Sequence, residues 1–94
     1  MKFVNEKMVK ELISNSEITC QTILGRITVV TIVLPNGWTI TKTSASASTE
    51  NYDHDYGVQV CMGQIEDEIW KLEAYRLVCE DLSEQIKKEM LIIE

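Results

Sequence analysis

Residues 53–90 read DHDYGVQVCMGQIEDEIWKLEAYRLVCEDLSEQIKKEM and decide the fold of this 94-residue chain. Apolar residues recur every seven positions in this stretch and just beyond it, at Val58, Ile65, Leu72, Cys79, Ile86 and Ile93. A seven-residue repeat keeps side chains on one face of an α-helix. Further apolar residues three or four positions later widen that face, as in a helix bundle. The pattern predicts one long helix over residues 53–90, about 55 Å in length.

The rest of the chain is too short to cover a helix of that length. A domain of this size buries only about 60–65% of its unfolded surface, and disulfides, a metal or oligomerisation often supply the missing stability. Cys20, Cys61 and Cys79 cannot all pair within one chain, and the only histidine is His54. We therefore expect reduced cytosolic thiols, no metal and no cofactor, and a single domain (1–94) that forms a homo-oligomer through the long helix. The alternative is that the helix folds back near Ser83.

The first half of the chain predicts a small helix followed by strands. Asn5 can cap an N-terminal helix, within residues 1–15, that has apolar residues on one face. Residues 17–43 are rich in β-branched residues around Asn36-Gly37, a pair that marks a tight turn because both residues tolerate positive φ. The small residues of 44–48 predict a binding loop over 44–52, in which the backbone approaches a ligand closely, and the alternative is a flexible linker. The fold class is thus α+β, with an N-terminal helix, an antiparallel hairpin or small sheet, and the long helix.

Charge is distributed unevenly along the chain. Residues 1–48 carry a net charge of +2 and residues 49–94 carry −8, which together give the net −6. An acidic helical half argues against binding of long nucleic acid, which needs a basic face. No apolar run approaches the roughly 20 residues needed to span a bilayer, and the first residues have no signal-peptide core, so we expect neither membrane insertion nor secretion.

The sequence offers little for catalysis and more for binding. His54 lies between Asp53 and Asp55, and the sequence contains no recognisable nucleophile to act with it. We therefore expect that the protein is not an enzyme. Aromatic rings that stack on bases and arginines that pair with phosphates are present, at Trp38, Tyr52, Tyr56, Trp70, Tyr75, Arg26 and Arg76. For Trp70 the alternative is packing in the core. For Arg76 it is a salt bridge to a neighbouring carboxylate, whereas Arg26, in a predicted turn, is less constrained.

Three motifs together resemble a family of small phage proteins. They are the hairpin L-x-N-G-[FW] at 34–38, the loop S-A-x-x-x-x-x-N-[FY]-D at 44–53 and the helix [IL]-W-x-L-E-x-Y-x-L at 69–77. This family includes the first class of Thoeris anti-defence proteins. The resemblance implies a sponge in the host bacterial cytoplasm that sequesters cyclic ADP-ribose isomers (glycocyclic ADP-ribose) made by bacterial TIR-domain immune enzymes. It also implies an oligomer, by analogy a hexamer, with pockets between subunits, and binding of cyclic oligonucleotides by some members.

The resemblance also implies a set of ligand-binding residues. Those on the matching motifs are Trp38, Ser44, Ala45, Asn51, Tyr52, Trp70 and Tyr75, to which Arg76 inside the helix motif and Arg26 just outside the matching region are added. Ser48 can cap a helical turn, and the family often has proline directly after this serine, where this chain has Thr49. Two other hypotheses stay open: an oligomeric phage protein that inhibits a host protein through its acidic helix, and a hydrolase of nucleotide signals.

Overall fold

The computed structural model describes residues 3–93 of the chain, with side chains described as far as Met90. The elements in chain order are α1 (Glu6–Ser14), β1 (Glu17–Ile23), β2 (Ile27–Val33), β3 (Thr39–Ala45) and α2 (His54–Ile93). The predicted α+β class is confirmed, with an N-terminal helix, an antiparallel sheet and one long helix. None of the helices in this part of the chain is long and apolar enough to cross a membrane.

The first helix begins where its capping residue predicts. Asn5 has an extended backbone, and its Oδ1 accepts a hydrogen bond of 2.9 Å from the Met8 N–H. This bond satisfies one of the donors that the start of every helix leaves unpaired. Val9 is fully buried against the sheet and α2, so α1 closes one end of the core.

The three strands form an antiparallel sheet in the order β1-β2-β3. Val30 in the central strand pairs with Cys20 on β1 and with Lys42 on β3. Alternate residues of β2 are buried, namely Thr28, Val30 and Ile32, because this face of the sheet meets α2. The helix packs on β2 and β3, and every residue of β1 is exposed.

The two turns of the sheet differ in the number of residues that have a positive φ. Gly37 has a φ of 90°, whereas Asn36, which also tolerates a positive φ, does not adopt one. Pro35 and Asn36 form the turn, since the Gly37 N–H donates to the Leu34 carbonyl at 2.8 Å, and the left-handed glycine follows. Consecutive positive φ values occur in the β1–β2 turn, at Leu24 (55°) and Gly25 (65°).

The long helix starts at a capping aspartate and does not fold back. The Oδ1 atom of Asp53 accepts a hydrogen bond of 3.1 Å from the Tyr56 N–H, and α2 then runs unbroken past Ser83. The alternative of a bend at that residue is therefore wrong. The buried core residues are Val9, Val30, Ile32, Leu34, Ile40, Cys61, Ile65 and Ile69. Leu77 is the last buried residue of α2 within the described side chains, so only the first part of the helix contributes to this core.

Candidate functional site

A small pocket lies where β3 ends and α2 begins, and we call it the loop pocket. It has a volume of about 160 Å³. Its lining residues come from the end of the sheet, the connecting loop and the first turn of α2: Thr28, Ser44, Ala45, Ser46, Asn51, Tyr52, Asp53, Tyr56 and Gly57. Four of the residues that the family resemblance implies for ligand binding, Ser44, Ala45, Asn51 and Tyr52, thus line one cavity.

The loop beside this pocket is shorter than the sequence predicts and is held by its own serines. Ser44 and Ala45 belong to β3, because they pair with Thr28 and Ile27 of β2, so the predicted loop start at residue 44 is wrong. Ser46 then donates its N–H to the Arg26 carbonyl at 2.8 Å. Hydrogen bonds within residues 46–51 give this segment a defined shape without regular secondary structure.

The Tyr52 hydroxyl anchors the loop to two strands. It lies 2.8 Å from the Thr22 Oγ1 on β1 and 2.8 Å from the Thr28 Oγ1 on β2, and 3.1 Å from the His54 Nδ1. Thr28 is fully buried, so its hydroxyl needs a partner inside the protein. Thr22, Thr28 and His54 were not predicted as site residues. No signal in the sequence identified them, because the pairing of Thr22 with Thr28 across β1 and β2 is visible only in the structure.

Gly57 lets the first turn of α2 approach the sheet closely. A Cβ placed at this position would overlap the Thr28 hydroxyl and lie 2.8 Å from the Thr28 Cβ. Any side chain would therefore push the helix away from β2 at the floor of the loop pocket. Glycine in a helix costs up to about 1 kcal/mol relative to alanine, and a close approach is one reason to keep it there.

We expect Tyr52→Phe to destabilise the protein by about 1–2 kcal/mol, because the buried Thr28 hydroxyl loses its partner. Chemical denaturation followed by circular dichroism measures this change. Tyr56→Phe is the matched control, since Tyr56 lies four residues away on the same pocket and is 64% exposed. Equal effects of the two substitutions would show that the Tyr52 hydroxyl does not anchor the loop.

Arg26 lies at the same end of the sheet as the loop pocket. It follows the β1–β2 turn, its carbonyl accepts the bond from Ser46, and its neighbour Gly25 faces Thr49 of the loop. The residue is exposed, and its guanidinium forms no ion pair within residues 3–93. Arg26 is therefore a cation near the pocket whose charge no described carboxylate neutralises.

The predicted residues Trp38 and Arg76 lie at the opposite end of the sheet. They line an apolar groove of about 390 Å³, whose walls are formed by Leu12, Leu34, Pro35, Asn36, Trp38, Leu72, Glu73 and Arg76. Trp38 is exposed there. Trp70 is half-buried and packs against the core, which is the alternative that the sequence analysis gave for this residue. Tyr75 is exposed on α2 and lines neither cavity.

Arg76 is held by carboxylates of its own helix. Its guanidinium lies 2.9 Å from Glu73 and 2.7 Å from Glu80, and the hydrogen bonds to Glu73 raise the pKa of Arg76. Lys42 similarly pairs with Glu68 at 3.4 Å. A phosphate at either cation would have to compete with these carboxylates, so Arg26 is more accessible to an anion than Lys42 or Arg76.

Fold and site together define a small α+β protein in which a three-stranded sheet packs on one long helix and a tyrosine-anchored loop forms a pocket near an exposed arginine. The chain belongs to the phage protein (N4 Gp49/phage Sf6 gene 66) family, which matches it over residues 4–80. The expectation of a small phage protein family is thereby confirmed. No curated protein and no solved structure gives a significant match to the chain.

Proposed function

We propose that this phage protein is a sponge for cyclic ADP-ribose isomers, above all glycocyclic ADP-ribose. It would bind the signal made by TIR-domain immune enzymes in the host bacterial cytoplasm and hold it without cleaving it. The observation that carries the proposal is the loop pocket, because four motif residues that the resemblance implies for binding line one cavity at the Arg26 end of the sheet.

The groups around the loop pocket suit a nucleotide-type ligand. Serine hydroxyls and the Asn51 amide can hydrogen-bond to ribose hydroxyls, and the small side chains of Ser44 and Ala45 let a ligand approach the backbone. Arg26 can pair with a diphosphate through two parallel N–H donors. Sequestration requires only such binding contacts, because the ligand is later released in the same chemical form in which it was bound.

The size of the pocket favours a site completed by another subunit. Pockets for small molecules usually measure about 300–1,000 Å³, well above the 160 Å³ of the loop pocket. A second copy would supply the missing walls, and Trp70 or Tyr75 could be contributed from its long helix. We therefore propose a homo-oligomer, with a hexamer as the form that the resemblance implies.

The apolar groove is the proposed place for a second ligand. Its volume of about 390 Å³ falls within the usual range, and the exposed Trp38 ring could stack on a base. The resemblance implies that some members of the family also bind cyclic oligonucleotides, and we propose this groove as the place where such a ligand would bind. Binding there would require Arg76 to leave Glu73 or Glu80, which predicts weaker binding than in the loop pocket.

Calorimetry with glycocyclic ADP-ribose tests the proposed function. We expect tight binding by the wild type and about tenfold weaker binding by Arg26→Ala, because one charged contact to the diphosphate is lost. Arg76→Ala should bind like the wild type, since that residue lies at the other end of the sheet. Heating the complex should release intact ligand.

Three outcomes would contradict the proposal. Absence of binding at micromolar protein would exclude the sponge, and a cleaved ligand after heating would indicate a hydrolase. Recovery of one stoichiometric host protein from infected cells, together with absence of ligand binding, would favour the inhibitor of a host protein. A loss of binding in Arg76→Ala but not in Arg26→Ala would move the site to the groove.

A further inference from the structure

The loop pocket has one charged side chain to which the proposed function gives no role. Of the described residues that line the pocket, only Asp53 carries a charge. Its Oδ1 atom accepts the hydrogen bond from the Tyr56 N–H that caps α2, whereas Oδ2 has no hydrogen-bond partner in the described part of the chain. No lysine or arginine with a described side chain forms an ion pair with Asp53. One carboxylate oxygen is thus free to accept from a ligand.

This carboxylate makes the pocket unsuitable for the diphosphate of the ligand. A phosphate placed there would lie beside a like charge, and none of the described residues that line the pocket is cationic. The start of a helix often binds phosphate through its free N–H groups, but at the start of α2 Asp53 itself accepts the Tyr56 N–H. Arg26, in the β1–β2 turn and outside the lining, is the better place for the diphosphate.

The same carboxylate suits the hydroxyls of a ribose. An ionised carboxylate only accepts hydrogen bonds, and a ribose hydroxyl can donate one. A bond of this kind to a charged oxygen is about twice as strong as a bond between neutral groups. An acidic side chain binds the ribose of NAD in this way in dinucleotide-binding folds. The volume of about 160 Å³ admits only part of a nucleotide, since pockets for whole ligands measure about 300 Å³ or more.

Ser44 can provide a second contact to the same ribose. It pairs with Thr28 across β2 and β3, so both side chains lie on the face of the sheet that meets α2. The Ser46 hydroxyl donates to the Ser48 carbonyl, whereas the half-buried Ser44 hydroxyl has no hydrogen-bond partner in the part of the chain that the structure describes. A carboxylate and a free hydroxyl in one pocket can bind the two neighbouring hydroxyls of a ribose.

We propose that the loop pocket is a ribose subsite in which Asp53 accepts a hydrogen bond from a ribose hydroxyl, while the diphosphate lies outside the pocket at Arg26. Ribose and diphosphate are covalent neighbours in a nucleotide, so one ligand reaches both residues. The inference rests on the proposed function and deepens it, because it separates the part of the ligand that enters the pocket from the part that stays outside. Asp53 is absent from the set of binding residues that the family resemblance implies.

Calorimetry with glycocyclic ADP-ribose tests the subsite through the sign of one change. Asp53→Asn should bind at least about tenfold more weakly than the wild type, because a hydrogen bond to a charged oxygen is lost. A diphosphate inside the pocket would give the opposite sign, since loss of the carboxylate would then relieve repulsion and tighten binding. Asp55→Asn, the same change of charge in the first turn of α2 but outside the pocket lining, should leave the affinity unchanged.

Two further comparisons separate a ribose contact from other roles of Asp53. Asp53→Ser should weaken binding like Asp53→Asn, and thermal unfolding should show that α2 stays folded in both, because asparagine and serine are good helix caps. Arg26→Ala combined with Asp53→Asn should show the product of the two losses, about a hundredfold, because the two residues contact different parts of the ligand. The hypoxanthine analogue of the ligand, which lacks the adenine amino group, should change the affinities of the wild type and Asp53→Asn by the same factor.

The outcomes distinguish failure of this inference from failure of the proposed function. Absence of binding by the wild type would overturn both. Binding by the wild type together with equal or tighter binding by Asp53→Asn would overturn the ribose subsite alone. A loss that disappears in the Arg26→Ala background would show that Asp53 acts through Arg26, and a loss that disappears with the hypoxanthine analogue would assign Asp53 to the base. Either of these results would also overturn the ribose subsite while the sponge stands.

Discussion

Gly57→Ala should destabilise the protein by about 3 kcal/mol, because the added methyl group has no room between α2 and β2. Its Cβ would overlap the hydroxyl of Thr28, a residue with no exposed surface that cannot turn away into solvent. The helix must shift outward at its first turn, which also separates the Tyr52 hydroxyl from its anchor. Urea unfolding monitored by circular dichroism measures the loss of stability.

The same helix provides a matched control for this substitution. A Cβ at Gly63 would have no heavy atom within 4 Å, so Gly63→Ala should stabilise the protein by about 0.5–1 kcal/mol through helix propensity alone. In addition, Gly57→Ala should cost less in a Thr28→Ala background, since the overlapping hydroxyl is gone. Equal effects at Gly57 and Gly63, or no coupling to Thr28, would contradict the close approach of helix and sheet.

Local signals in the sequence were sufficient to predict the elements of the fold. Asn5 and Asp53 cap the two helices because a short polar side chain satisfies a backbone donor wherever it precedes a helical turn. β-branched residues predicted the strands around Asn36-Gly37 correctly. The end of β3 was missed because Ser44 and Ala45 have no strand preference, and only their pairing with β2 makes them part of the sheet.

The arrangement of the candidate site depends on tertiary contacts that the sequence does not reveal. The motif residues Trp38 and Ser44 are six positions apart on one strand and its turn, yet they line cavities at opposite ends of the sheet. Tyr52 was predicted from its aromatic ring, whereas its hydroxyl bonds depend on how Thr22 and Thr28 pair across β1 and β2. Spacing predicts which face a side chain takes but not which side chains share a cavity.

The seven-residue repeat of α2 has a similar limit, because it does not show what covers each apolar residue. Ile65 and Ile86 occupy the same position of the repeat three periods apart. Ile65 has no exposed surface and packs in the core with Cys61 and Ile69, whereas Ile86 is 47% exposed. The same pattern therefore places side chains in the core in the first part of the helix. In the second part it leaves them exposed, where another chain can contact them.

Ile65→Ala should accordingly destabilise the protein by about 3–4 kcal/mol at any protein concentration, because it leaves a cavity in the core of a single chain. Ile86→Ala should change the unfolding free energy by less than about 0.5 kcal/mol in dilute solution, where an exposed isoleucine has little to lose. At high concentration Ile86→Ala should lower the melting temperature relative to the wild type, since association stabilises the native state by mass action.

Thermal unfolding of both variants at a low and a high protein concentration separates these effects. Because the two substitutions remove the same atoms from the same position of the repeat, the comparison isolates what surrounds each side chain. A large loss for Ile86→Ala in dilute solution would show that the second part of α2 packs within its own chain. A concentration-dependent loss for Ile65→Ala would place the subunit boundary in the first part of the helix. The expected pattern, independent of concentration at Ile65 and dependent on it at Ile86, assigns the two parts of one helix to folding and to assembly.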